Sequence, residues 1–178
     1  MNILYGVPGE GLGHATRSKV IIRHLLEQGH DVQVVSSSRA YKLLADNFPG
    51  RVHEIKGFHL AYKELIVSKS RTAALTLRSA PENLRLNFQR YRDLLAPGTH
   101  FDLVVSDFES FSYFFAKTRR LPVVSIDNMQ IISRTKLDVA IPPEERGNFE
   151  LARGIVRAKL PRSQHYLVTT FFYPPVAK

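Results

Sequence analysis

The chain has no cysteine anywhere in its 178 residues. That excludes a disulfide framework, a thiolate metal site and a cysteine nucleophile, and it fits a reducing compartment. Long apolar runs are missing as well. No stretch reaches the roughly 18 residues that a membrane-crossing helix requires. The opening Met1-Asn2-Ile3-Leu4-Tyr5-Gly6 has no basic region and too short an apolar stretch for a signal peptide, so a cytoplasmic location is expected. Metal-ligand spacing is absent too. His24, His30, His53, His59, His100 and His165 fall at no recognisable interval, and no Asp-x-Asp pair occurs. There is no internal repeat and no low-complexity tract.

Negative charge is scarce. Sixteen Asp and Glu face 25 Lys and Arg, a formal net charge of +9. Between Arg51 and His100, nine basic residues stand against four acidic ones, so that stretch holds +5 of the excess. Zinc fingers and paired aromatic strands for base stacking are both lacking, which disfavours nucleic acid as the partner. A basic stretch studded with apolar residues suits an anionic lipid surface, although a solvated basic face is the plainer reading.

What remains is an ordinary globular composition, 44% hydrophobic and 23% charged, in a chain long enough for one sizeable domain. Periodicity predicts strands at Ile3–Val7, Val32–Ser36, Val52–Ile55, Asp102–Ser106, Val123–Ile126 and Tyr166–Phe172. Helices are predicted over His14–Gln28, Arg39–Asn47, Thr72–Leu95, Glu109–Arg119 and Pro143–Leu160, with Gly29 as a stop and Pro81 as a break or kink. A long loop is expected from Gly57 to Ser70. Strands that are almost wholly apolar, alternating with helices, imply a parallel sheet covered on both faces. The fold class expected is α/β: a Rossmann-like doubly wound parallel sheet in three αβα layers, with strand order 3-2-1-4-5-6. The domain is read as residues 1–172. Residues 173–178, with Pro174-Pro175, read as the start of a linker to a further domain.

In that order strands one and four are neighbours whose connections diverge, so a crevice opens at their carboxyl ends. The turn Gly9-Glu10-Gly11-Leu12-Gly13-His14 borders it on one side and Asp107 to Ser110 on the other. Residues 93 positions apart, His14 and Asp107, should therefore meet there. Glycines allow close approach of backbone to ligand, and the following helix N-terminus favours negative charge. The same helix end favours a neutral imidazole able to accept a proton. An Asp on its other nitrogen would fix the tautomer, giving a base and its orienter for activating a hydroxyl. For a lone His the plain alternative is a solvent-facing residue at a helix start, and for Asp107 a helix cap.

Other readings of the turn fit less well. A Walker loop needs Gly-Lys-Ser/Thr, whereas Gly13 is followed by His14-Ala15-Thr16. A nicotinamide fingerprint for NAD needs an acidic residue ending strand two, where Ser36-Ser37-Ser38-Arg39 stands. Those serines and the Arg suit the 2′-phosphate of NADP, so an NADP-dependent reductase is the alternative; a non-catalytic binding module with a basic surface is another.

The run Val7-Pro8-Gly9-Glu10-Gly11-Leu12-Gly13-His14-Ala15-Thr16-Arg17 resembles the opening of GT-B glycosyltransferases of the MurG-like and UDP-glycosyltransferase groups. Asp102 to Phe108 is similar to their strand-four segment ending in Asp, and Val123 to Asn128 to the next strand in a bacterial branch. The resemblance implies the N-terminal, acceptor-binding half of a metal-independent inverting hexosyltransferase that uses no cofactor. His14 would be the general base and Asp107 its orienter. Gly11, Leu12, Gly13, Arg17, Glu109, Ser110 and Asn128 are the candidate substrate-binding residues. A nucleotide-sugar donor, such as a UDP-sugar, would be held mainly by a C-terminal domain, so this chain alone should not turn over. The acceptor would be a hydroxyl, lipid-linked in MurG-like members, which places the protein peripherally on the inner face of the cell membrane. A sugar-nucleotide epimerase is a further outcome of the same fold. Two departures stand out. Glu10 puts a charge inside the glycine turn, and Met129-Gln130 follow Asn128 where relatives carry a His.

Overall fold

A computed structural model describes residues 1–9, 11–57, 69–137 and 139–177, and the side chains of 69–80 lie outside that description. Six strands form one parallel sheet: β1 (Asn2–Val7), β2 (Asp31–Ser36), β3 (Val52–Glu54), β4 (Leu103–Ser106), β5 (Val123–Asp127) and β6 (His165–Val168). Their order is β3-β2-β1-β4-β5-β6, as the crossover rule predicts. The helices are α1 (Leu12–Glu27), α2 (Ser38–Asn47), α3 (Lys69–Asp93), α4 (Ser110–Arg119), α5 (Ile131–Arg134) and α6 (Arg146–Lys159).

Alternation along β1 divides the core into two layers. Ile3, Tyr5 and Val7 pack with Ala15 and Ile22 of α1 and with Ala40 and Leu44 of α2. Leu4 faces the other way, among Phe111 and Phe115 of α4 and Val156 of α6. Gly6 shares that second face, and its absent side chain is a packing requirement. A Cβ there would sit 2.0 Å from Ser112 Oγ and 2.9 Å from Glu109 Oε2. The N-terminus of α4 is thereby pressed directly onto β1.

Several boundaries differ from expectation. The α1 helix begins two residues before His14, which places the imidazole within the first turn rather than at its start. Pro81 lies inside a continuous α3 rather than breaking it. The expected Pro143–Leu160 helix opens as a short 3-10 turn at Pro143–Glu145 before α6. Strand six ends at Val168 rather than Phe172, because Phe171, Phe172 and Tyr173 are exposed beyond the sheet. The short α5 was not anticipated; its four residues are too few to show a periodicity. Most of the expected loop from Gly57 to Ser70, and Glu10, lie outside the described residues.

Candidate active site

The register Gly6↔Ser106 sets the carboxyl ends of β1 and β4 side by side, and the Asp107 N–H donates to the Gly6 carbonyl at 2.9 Å. The next residue, Phe108, adopts a left-handed backbone with φ of 57°. For an aromatic residue that conformation is strained by about 1–3 kcal/mol, and it persists only where packing imposes it. Here the Phe108 ring is buried in the α4 layer, with the Lys159 ammonium 4.0 Å from its centroid. The strained turn fixes the direction of Asp107.

Asp107 is fully buried and fully engaged. Its Oδ1 lies 2.8 Å from His14 Nδ1 and also accepts from Arg17 Nη2. Its Oδ2 accepts from Ser18 Oγ at 2.8 Å. His14, Arg17 and Ser18 all come from α1; spacings of three and four residues put them on one face of that helix. Arg17 reaches further, donating from Nη1 to Thr169 Oγ1 at 3.1 Å, just beyond β6. Beneath the cluster the Tyr5 ring is wholly buried, and its hydroxyl is held well above the ordinary phenol range, chiefly by burial and next by the Asp107 charge.

His14 faces outward. With Nδ1 turned to Asp107 and the side chain 23% exposed, Nε2 is the nitrogen available to the crevice. Among the described residues no side chain caps the α1 start beside it. Gly11 caps the helix at φ 76° with no side-chain cap bond, and no acidic residue occupies the first turn. A Cβ placed on Gly13 would meet nothing within 4 Å, so no packing contact requires glycine there and room is left for a ligand. Gly9 differs. A Cβ there would fall 2.2 Å from Ser37 Oγ and 2.7 Å from the Ser37 carbonyl, so that glycine serves the contact with β2's end.

The remaining candidates separate. Leu12 is exposed at the mouth of the turn. Glu109 is buried, and its two oxygens accept from the Phe111 and Ser112 N–H groups at 2.7 Å, capping α4. Burial raises its carboxyl above the usual range, although those two bonds oppose the rise. Ser110 is buried behind it, and Asn128 is exposed at the end of β5. The buried neighbour is Asp127, which accepts from Ser125 Oγ at 2.6 Å and from the Gln130 N–H at 2.9 Å. Its carboxyl is raised by burial, and the Asp107 charge adds to the rise. Sequence reasoning missed Asp127, Ser18 and Thr169. Ser18 was detectable as the fourth residue after His14, whereas Thr169 needed the register of β6. Among the described residues no cluster of His, Asp and Glu could hold a metal ion.

Buried acid, imidazole and helix start meet at the carboxyl edge of the parallel sheet. The family model for glycosyl transferase family 1 matches residues 1–178. This chain belongs to that family. Its fold is the Rossmann-like αβα unit of GT-B glycosyltransferases, as solved structures show. UGT89C1 of Arabidopsis thaliana, solved with UDP-L-rhamnose, matches with a TM-score of 0.57 at 13% identity, covering 96% of this chain and 45% of that one. MurG of Acinetobacter baumannii matches with a TM-score of 0.50 at 13% identity, covering 98% of this chain and 43% of that one. Among characterised sequences, L-arabinokinase of Arabidopsis thaliana is 53% identical over 34 residues, 19% of this chain and 3% of the kinase. The chain thus spans less than half the length of each of these relatives.

Proposed function

We propose that this chain is the acceptor-side part of a metal-independent inverting glycosyltransferase, with His14 as general base. The observation that carries this reading is the 2.8 Å contact between His14 Nδ1 and the buried Asp107 Oδ1, which leaves Nε2 toward the crevice. In the step proposed, Nε2 takes the proton of an acceptor hydroxyl as its oxygen attacks the anomeric carbon. The glycosyl–phosphate bond breaks with inversion, and the nucleoside diphosphate leaves with the electron pair. Nδ1–H to Asp107 stabilises the imidazolium that forms. The chain covers under half of MurG and of UGT89C1, which supports placing the donor chiefly on residues outside it. A nucleotide-sugar donor is supported by the UDP-L-rhamnose bound to UGT89C1. The NADP alternative has less room. Ser36 and Ser37 are buried, and the Ser36 hydroxyl donates to the Val7 carbonyl at 2.9 Å rather than toward a ligand.

The test is His14→Ala in the full-length protein, assayed for UDP release from UDP-glucose against a panel of acceptor alcohols. Turnover should fall at least about 100-fold with the melting temperature unchanged. A variant that keeps near wild-type turnover removes His14 from the base role.

The lipid-linked acceptor and peripheral membrane location rest on α3. Leu84 and Phe88, one turn apart, are 56% and 64% exposed, with Arg85 and Arg92 exposed on the same helix. No helix among the described residues is long and apolar enough to cross a membrane. Sedimentation with phosphatidylglycerol vesicles should carry down the wild type at low salt and much less of Phe88→Glu. Equal recovery of the two proteins removes α3 from membrane contact.

A further inference from the structure

The Arg17 guanidinium sits in the one place where it can touch both members of the His14–Asp107 pair. Nη2 lies 3.0 Å from His14 Nδ1 and is also bonded to Asp107 Oδ1, while Nη1 is anchored on Thr169. Two of these contacts exclude each other. If Nδ1 carries a proton toward Asp107, it has no lone pair for Arg17. If Arg17 donates to Nδ1, then Nε2 must carry the proton and cannot accept one. A lone pair on Nδ1 facing a carboxylate at 2.8 Å is repulsive, so the Nδ1–H arrangement is favoured and the Nη2 hydrogens go to Asp107.

A second consequence concerns charge. A buried carboxylate beside an imidazole favours the imidazolium, and a guanidinium on the same oxygen opposes that. The charges facing the imidazole come from several elements. Arg17 lies on α1 and Asp107 at the end of β4, with the neutral Tyr5 phenol on β1 beneath them. Asp127 at the end of β5 couples electrostatically to both Asp107 and Arg17, and burial holds its carboxyl toward the neutral form. From the edge of β6 comes the uncharged Thr169. Arg17 is the fixed cation in this set, and it sits on the oxygen that His14 uses.

We propose that Arg17 is a positioning residue that shares the charge of Asp107 and so keeps His14 neutral, with its proton on Nδ1 and Nε2 free. This rests on the base reading of His14, but its test does not require turnover. In full-length protein labelled with 15N at histidine, the His14 ring is assigned by comparison with His14→Gln. At pH 7 the wild-type ring should show a protonated Nδ1 and an unprotonated Nε2. In Arg17→Gln, which keeps a hydrogen-bond donor but loses the charge, both nitrogens should be protonated at the same pH. The acidic limb of the kcat profile should move up by about one pH unit or more, with KM little altered. Arg17→Lys should restore most of the wild-type behaviour.

A wild-type ring already doubly protonated at pH 7, or protonated on Nε2 alone, overturns the proposal without any variant. So does an Arg17→Gln ring that titrates like the wild type. A purely structural Arg17 would lower the melting temperature while leaving ring protonation and the pH profile in place. If His14→Ala retains turnover, the base reading fails, and the ring measurements still decide what Arg17 does to His14.

Discussion

The turns after β1 and β4 stand side by side at one edge of the sheet and are built in opposite ways. The turn after β4 is crowded and closed. Ser106 Oγ donates to the Glu109 carbonyl at 2.7 Å, Glu109 caps α4 with both oxygens, Phe108 is strained, and Asp107 has partners on both oxygens. The turn after β1 is more open among the described residues: α1 starts at Leu12, its cap Gly11 makes no side-chain cap bond, and a Cβ on Gly13 would meet no described atom within 4 Å. Two N–H groups of α4 are already taken by Glu109, whereas the α1 start has no side-chain cap bond. Glu109, which the sequence nominated as a ligand contact, belongs to the closed side.

That contrast can be broken at its centre first. Asp107→Asn should cut turnover at least about 100-fold, because an amide neither holds the Nδ1–H tautomer nor stabilises an imidazolium. Asp107→Ala should also cost about 3–5 kcal/mol of stability by urea denaturation, since Arg17 is left without its anion. Full stability of the alanine variant would mean that the cluster does not hold the two turns together.

Two glycine substitutions sharpen the comparison. Gly6→Ala drives a methyl group into Ser112 and should cost about 1–3 kcal/mol. Gly13→Ala meets nothing among the described residues and should leave stability unchanged or raised by up to about 0.5 kcal/mol. If Gly13→Ala nevertheless loses turnover, the open space is used by substrate; if it keeps full turnover, close approach at Gly13 is not required.

The smallest expected effect is at the closed turn. Burial raises the Glu109 carboxyl in the folded chain above its unfolded value, so its ionisation weakens folding as pH rises through the folded value. That handicap disappears once the pH falls below the unfolded value, where both states are protonated. The melting temperature of Glu109→Gln relative to wild type should therefore be higher at pH 8 than at pH 5. A difference that stays constant, or runs the other way, would show that the capping bonds outweigh the burial of charge.

Much of this was legible in the chain. Apolar strands alternating with helices gave the strand order, and that order alone brings His14 to Asp107 across 93 positions. The glycine turn and the strand-four Asp also pointed to the family. What was not legible depended on which way a side chain turns. Val123 to Asn128 was read as the next strand with Asn128 nominated as a contact, while the buried group coupled to the cluster is Asp127. One residue along a strand reverses the face, and pattern alone does not say where the strand ends. Gly9 and Gly13 look alike in the motif. Only packing shows that the first answers to Ser37 and the second to no contact in the protein.

By itself, then, the sequence determined the architecture and the meeting of His14 with Asp107, because hydrophobic periodicity and the handedness of crossovers leave few topologies. Only the tertiary structure shows that Arg17 joins them, on the same Asp107 oxygen that faces His14. Arg17 reaches Asp107 through helical spacing and Thr169 through the register of β6, two constraints from distant parts of the chain. Electrostatic coupling acts over a few ångströms in space, whatever the separation along the sequence.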